Sequence, residues 1–295
     1  MTLRTSLCAN IHFVRLYMTL LTRSVRTFLR IPYATSLLPS SLLARGIRSR
    51  SLMWRVWTQV ALVCYGMDTH ARRTLRNYSV QRRKNPDLAF QGQMLQDAWV
   101  DSLRIESSYF LDIGAAYPIK YSNSYSLQLR AWSGLLVEPN PMLIPELESR
   151  CSPSVHLAPV AVALSSGHQA LVEYGPLSSL EESASRDIYA ALREKKASSG
   201  SVETVPTLTF DDLITQFSVQ TSIGYLSIDV EGLDFDILRK FPFHSHQVAA
   251  ITIEHNLDLQ LRKEILEFLV GKGYTRVCRR WSSIDSWFVR SDLIR

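Results

Sequence analysis

From residue 108 to the C-terminus, short apolar runs alternate with stretches of helical period, and that alternation leaves few folds open. SYFLDIGA, SGLLVEPN, VHLAPVAVAL, GYLSIDVEG and VAAITIEHN read as strands. Between them SNSYSLQLRAW, PMLIPELESR, LTFDDLITQF, LDFDILRKF and LDLQLRKEILEFLVGKG read as helices. Local chemistry supports the ends. Ser122 or Asn123 can cap the first helix, and Pro141 stands near the start of the second. Thr209 precedes Asp212 by three residues in a capping-box arrangement, and Gly273 closes the last helix after Lys272. The strands are near-continuously apolar, as expected of a mainly parallel sheet covered on both faces. HQALVEYG reads as a shorter excursion, Ser178 to Ser201 as part helix and part loop, and YTRVCRRW with DSWFVR as a closing hairpin. Residues 85–107 predict a helix laid against the sheet, and no internal repeat is present.

Charge divides the chain in two. Residues 1–84 carry 15 Lys/Arg against the single acid Asp68, whereas residues 85–295 carry 18 against 26 acids. The sequence therefore predicts a basic Arg/Ser-rich leader over 1–84 and a folded domain over 85–295, and the chain as a whole, at 46% hydrophobic residues, has ample material for a core. The leader suits an organelle transit peptide, or a segment lying on an anionic membrane surface. It equally suits a poorly ordered extension upstream of another start, since Met53 and Met67 follow. Compartment stays open between the cytoplasm and an organelle or membrane surface. Val56 to Met67 is too short an apolar run to span a bilayer. Cys8, Cys64, Cys151 and Cys278 show neither zinc-ligand nor disulfide-framework spacing. No nucleic-acid partner is expected, because the domain's net charge of −8 repels a polyanion.

In an open parallel sheet, ligands bind beyond the carboxyl ends of the strands. Those ends carry Asp112 with Gly114 and Ala115, Glu138 with Asn140, Asp229 with Glu231, and Glu254 with His255 and Asn256. Four strands ending in an acid form an unusual rim, because a buried carboxylate needs partners. Phosphate prefers glycine-rich loops, helix N-termini and cations, and neither the dinucleotide fingerprint nor the P-loop is present. A phosphate-free nucleoside bearing positive charge fits better: Glu138 can accept ribose hydroxyls, while Asp112 and Gly114 face a cationic portion. That is the logic of S-adenosyl-L-methionine.

The same residues carry a family resemblance. Gln93-x-x-Gln96-Asp97, DIGAAYPIKYSNSY, W-x-GLLVEPNP, VPTLTFDDL, YLSIDVEGLDFDIL, ITIEHN, GKGY and a closing D-x-W-F-V stand in order between Gln93 and Val289. Together they resemble the FkbM-type S-adenosylmethionine-dependent methyltransferases. Many members carry Asn-x-Gly where this chain has Ala116 to Pro118, but a sub-pattern with DIGA-x-x-P and S-N-[ST]-Y fits Pro118 and Ser122 to Tyr125. The resemblance implies a class I, Rossmann-like α/β fold, with a mostly parallel seven-stranded sheet, helices on both faces and a C-terminal antiparallel hairpin. It also implies O-methylation of a hydroxyl on a sugar, glycan or natural product.

Cofactor contact then falls to Asp112, Gly114, Ala115, Glu138, Asn140 and Asp229. Proton transfer or acceptor anchoring falls to Asp229, Glu231 or His255. The reading requires no metal; Asp229 with Glu254 or Asn256 is the oxygen-rich set that could hold a divalent ion, as at the corresponding strand ends of catechol-type methyltransferases. Two rivals use the same sheet: a nicotinamide oxidoreductase, disfavoured by the missing pyrophosphate glycines, and a non-catalytic nucleoside-binding protein.

Overall fold

The computed structural model describes residues 68–84, 90–103, 105–172, 178–181, 202–279, 281 and 284–294. The basic segment 1–67 lies outside them, and with it every reading of targeting or membrane-surface contact; so does most of Ser178 to Ser201. Among the described residues no helix is long and apolar enough to cross a membrane.

The chain begins with α1 (Thr69–Lys84) and α2 (Gln96–Ser102), then runs β1 (Tyr109–Ile113), α3 (Tyr125–Gln128), β2 (Ser133–Val137), α4 (Ile144–Arg150) and β3 (Val155–Ala158). An excursion follows: β4 (Ala161–Val162), β5 (Gly167–Val172), β6 (Ser179–Leu180) and β7 (Val202–Leu208). The series resumes with α5 (Phe210–Phe217), β8 (Ser222–Ile228), α6 (Asp234–Leu238), β9 (Gln247–Glu254), α7 (Leu259–Gly271), β10 (Tyr274–Val277) and β11 (Asp285–Arg290).

The main sheet has seven strands in the order β10-β11-β9-β8-β1-β2-β3. Strands β9, β8, β1, β2 and β3 are mutually parallel, while β11 runs antiparallel to both neighbours, so one end of the sheet is mixed. Buried side chains divide between its two faces. Leu111, Ile113, Leu226, Ile228, Ile251 and Ile253 pack with Phe210 and Leu213 of α5, Ile237 of α6 and Ile265 and Leu269 of α7. Phe110, Tyr225, Ala250 and Trp287 pack on the other face with Ala98 and Trp99 of α2, and with Ala71, Leu75 and Tyr78 of α1.

Four expectations are corrected. Residues 69–84, assigned by charge to the leader, form a helix whose apolar stripe is buried in the domain. The helix expected over 122–132 is the single turn Tyr125–Gln128, because Ser122 Oγ accepts from Tyr125 N (3.0 Å) and Asn123 turns away to donate to Ser227 Oγ (3.1 Å). The helix around Pro141 starts later, with Pro145 in its first turn. VHLAPVAVAL is two strands in two sheets: it breaks at Pro159, and Ala161–Val162 joins a second sheet of order β4-β7-β5-β6.

Candidate active site

Five neighbouring strands of the main sheet, β11, β9, β8, β1 and β2, carry an acid at the same edge: Asp285, Glu254, Asp229, Asp112 and Glu138. The acids fall into two groups with different surroundings. Between them the loop after β1 crosses the loop after β8. Asp229 N donates to Ile113 O (3.0 Å), and Gly114 N and Ala115 N donate to Val137 O (2.9 and 3.1 Å). Gly114 has φ +83°, and a Cβ there would lie 1.8 Å from Asp229 O. Only glycine permits that approach. Ala116 is also left-handed, at φ +49°, a conformation favourable to the Asn of the commoner family pattern and costly for alanine.

A cavity opens above this crossing. Gly114, Ala116, Glu138, Asp229 and Glu231 meet there with an apolar wall of Val160, Val162, Leu171 and Leu180. Its described lining contains no Lys, Arg or His. Glu138 is 5% exposed, and its oxygens accept from Ala116 N and Asn140 N, both at 2.8 Å. Burial pushes its carboxyl up to about 7 against those two backbone donors. Asn140 acts locally: Oδ1 accepts from Met142 N (2.9 Å) and Nδ2 donates to Ser178 Oγ (3.2 Å).

Asp112 stands apart from that lining. Its Oδ2 accepts from Ser124 Oγ (2.6 Å) on the sheet face shared with Ser227, and burial raises its carboxyl. It fixes the SNSY turn beneath the loop. Ala115 likewise enters through its backbone, with its side chain in the α1/α2 core.

Asp229, Glu231 and Glu254 form the second group, with one oxygen from each lying within 4.8 Å of the others. One divalent cation could bridge that spacing. Asp229 is pushed up to about 7, first by burial and then by Asp234; Glu254, also buried and beside Asp229, is raised well above the usual carboxylate range. Asn256 Nδ2 donates to Glu254 Oε2 (2.9 Å), leaving its Oδ1 without a partner. Asp234 holds the intervening loop by accepting from Val230 N (3.0 Å) and Gly232 N (2.9 Å).

His255 parts company with its neighbours. Its N–H continues the β9/β11 ladder to Ile284 O (2.8 Å), so alternation puts the imidazole on the face opposite Glu254. It is 1% exposed, and burial, Arg276 and Arg262 pull it down to about 4.

Sequence reasoning missed Asp234 and Asp285. The first looked like an ordinary first-turn helix acid and the second like a hairpin residue. Asp285 Oδ2 accepts from Gln96 Nε2 (3.0 Å) and Trp287 Nε1 (2.8 Å), and burial lifts its carboxyl to about 6. The Gln96-Asp97 pair was the available signal. Asp97 accepts from Gln91 N, Ala98 N and Ser126 Oγ at 2.7 to 2.8 Å, tying α2 to α3 just after the SNSY turn.

Residues 112–276 match the model of the methyltransferase FkbM domain, over half of the chain. The protein belongs to the FkbM methyltransferase family. No curated protein and no solved structure matches it. The FkbM span begins at Asp112 and takes in Glu138, Asp229, Glu231 and Glu254, while α1, α2 and the Asp285 strand flank it.

Proposed function

We propose that this FkbM methyltransferase uses S-adenosyl-L-methionine and methylates a hydroxyl oxygen of a sugar, glycan or other small-molecule acceptor. The observation that carries the proposal is the cavity: three acids, a glycine-permitted close approach and no cationic side chain in its described lining. A phosphate-bearing dinucleotide would meet repulsion there, whereas a cationic nucleoside would not. The sheet order agrees with a Rossmann-like class I fold.

When bound, S-adenosylmethionine supplies a methyl group activated by the sulfonium charge. Glu138 keeps lone pairs beyond its two backbone donors and is placed to accept ribose hydroxyls. The apolar wall excludes water from the nucleoside side. Asp229, pushed up to about 7, can take a proton from an acceptor hydroxyl near neutral pH. Alignment of acceptor and donor carries much of the remaining rate.

Calorimetric titration of S-adenosylhomocysteine into the full chain, beside Glu138→Ala, tests this. Saturable binding by the parent, weakened about tenfold or more in the variant, is expected. A folded parent that does not bind would overturn the reading and return the oxidoreductase and binding-protein rivals.

A further inference from the structure

The acid rim leaves one group of side chains unused, on one face of the three strands β10, β11 and β9 at the end of the sheet. Arg276 of β10 pairs with Phe288 of β11, which pairs with Ile251 of β9; Ser286 pairs with Ile253. His255 lies two residues beyond Ile253, so Arg276, Ser286 and His255 share that face. All three have buried polar atoms without a hydrogen-bond partner: Arg276 Nε and Nη2, Ser286 Oγ, and both ring nitrogens of His255. Ser286 is 0% exposed and His255 1%.

Buried polar atoms are normally satisfied, so five orphans together need a reason. Their identity narrows it. Nε and Nη2 are the two N–H groups on one flank of the guanidinium, a fork that matches two oxygens of a carboxylate or phosphate. The surrounding charge is positive: Arg276 is pulled down first by burial and then by Arg262 and Arg279, and Asp285 is the acid opposing them. Water could fill a lone pair or two, but would leave the buried Nε and Nη2 flank of the guanidinium opposed only by Asp285, whose Oδ2 is already taken by Gln96 and Trp287.

We infer that Arg276, His255 and Ser286 form an oxyanion subsite that holds a carboxylate or phosphate group of the methyl acceptor. Its place is the carboxyl end of β9, where His255 directly follows Glu254 in the chain with its ring turned to the other face of the sheet. The acceptor class is then an acidic one, such as a uronic acid or a phosphorylated sugar. This rests on the methyltransferase reading above.

The test is a set of calorimetric titrations on the full chain, with S-adenosylhomocysteine, inorganic phosphate and acetate as separate probes at matched ionic strength. Expected are binding of the nucleoside and one saturable site for phosphate or acetate, the tighter of the two showing which oxyanion the subsite takes. Arg276→Gln should weaken oxyanion binding at least about tenfold. Arg276→Lys should weaken it too, because the charge remains and the fork is lost; it decides the matter if the Gln variant does not fold. Arg290→Gln, at the far end of β11, should bind as the parent does. Nucleoside binding without a saturable oxyanion site, or with one indifferent to both Arg276 variants, overturns the subsite alone. A folded chain that fails to bind the nucleoside overturns the methyltransferase reading, and the acceptor role of the subsite with it.

Discussion

Gly114 is where single-atom sterics decide the site. A methyl group there would meet Asp229 O at 1.8 Å, and both partners are backbone, so neither can swing aside. Gly114→Ala is expected to cost about 3 kcal/mol or more of stability, read from the urea midpoint, and to abolish nucleoside binding. Glu138 and Asp229 could be read from sequence because each ends an apolar run that has to be a core strand, where an acid needs a purpose, and Glu231 follows two residues after Asp229 in the loop. Asp112 matches the same pattern, yet its carboxyl is satisfied by Ser124, twelve residues away, a contact that no local spacing announces. Arg276 and Ser286 were hidden for the opposite reason. In a hairpin sequence an Arg and a Ser are commonplace, and only the registers Arg276 to Phe288 and Ser286 to Ile253 show that their buried polar atoms share one face of the sheet.

Among elements, α1 departs furthest from expectation. Its composition is that of the leader, but Ala71, Leu75 and Tyr78 are 3 to 5% exposed and Asn77 Nδ2 donates to Ala98 O (3.0 Å) on α2. A charge count averages over the helix and loses the stripe. Cutting the chain at residue 85 instead of 68 should therefore destabilise the domain by about 3 kcal/mol, since two large side chains lose their burial. Denaturant melts of the 68–295 and 85–295 fragments check this; equal midpoints would show that α1 contributes nothing. The second sheet escaped for a related reason. Its strands β4 and β6 are two residues long, too short for any period to register, and β7 contains Pro206. That proline is tolerated because β4 reaches only Thr207 and Leu208, leaving Pro206 with a partner strand on one side.

Across the whole molecule, the acids make stability depend on pH in an unusual direction. Glu138 and Asp229 titrate at about 7 and Asp285 at about 6 in the folded chain, against about 4 when unfolded. Between those limits the folded state holds protons that the unfolded state has released, so these groups stabilise at low pH and lose that contribution as pH rises through 6 and 7. His255 works the other way. Its folded value of about 4 lies below the ordinary 6.5, so its contribution is lost as pH falls below 6.5. Three acids outweigh one imidazole, and the ligand-free melting temperature should be lower by several degrees at pH 8 than at pH 5.5. Scanning calorimetry at the two values measures it, and a higher melting temperature at pH 8 would contradict the burial assigned to these carboxyls.

The cavity also straddles the two sheets. Its acidic floor belongs to the seven-stranded sheet, while Val162, Leu171 and Leu180 come from β4, β5 and β6 of the smaller one. A nucleoside lodged between them would act as mortar. Amide hydrogen exchange in β5 and β6 should then slow on adding S-adenosylhomocysteine, although most of their backbone hydrogen bonds run to each other and to β7. Slowing confined to β1, β2 and β8 would mean that the small sheet stands clear of the ligand. Slowing in both would make cofactor occupancy the event that turns two neighbouring sheets into one cooperative unit, so that the catalyst's rigidity would follow the supply of methyl donor.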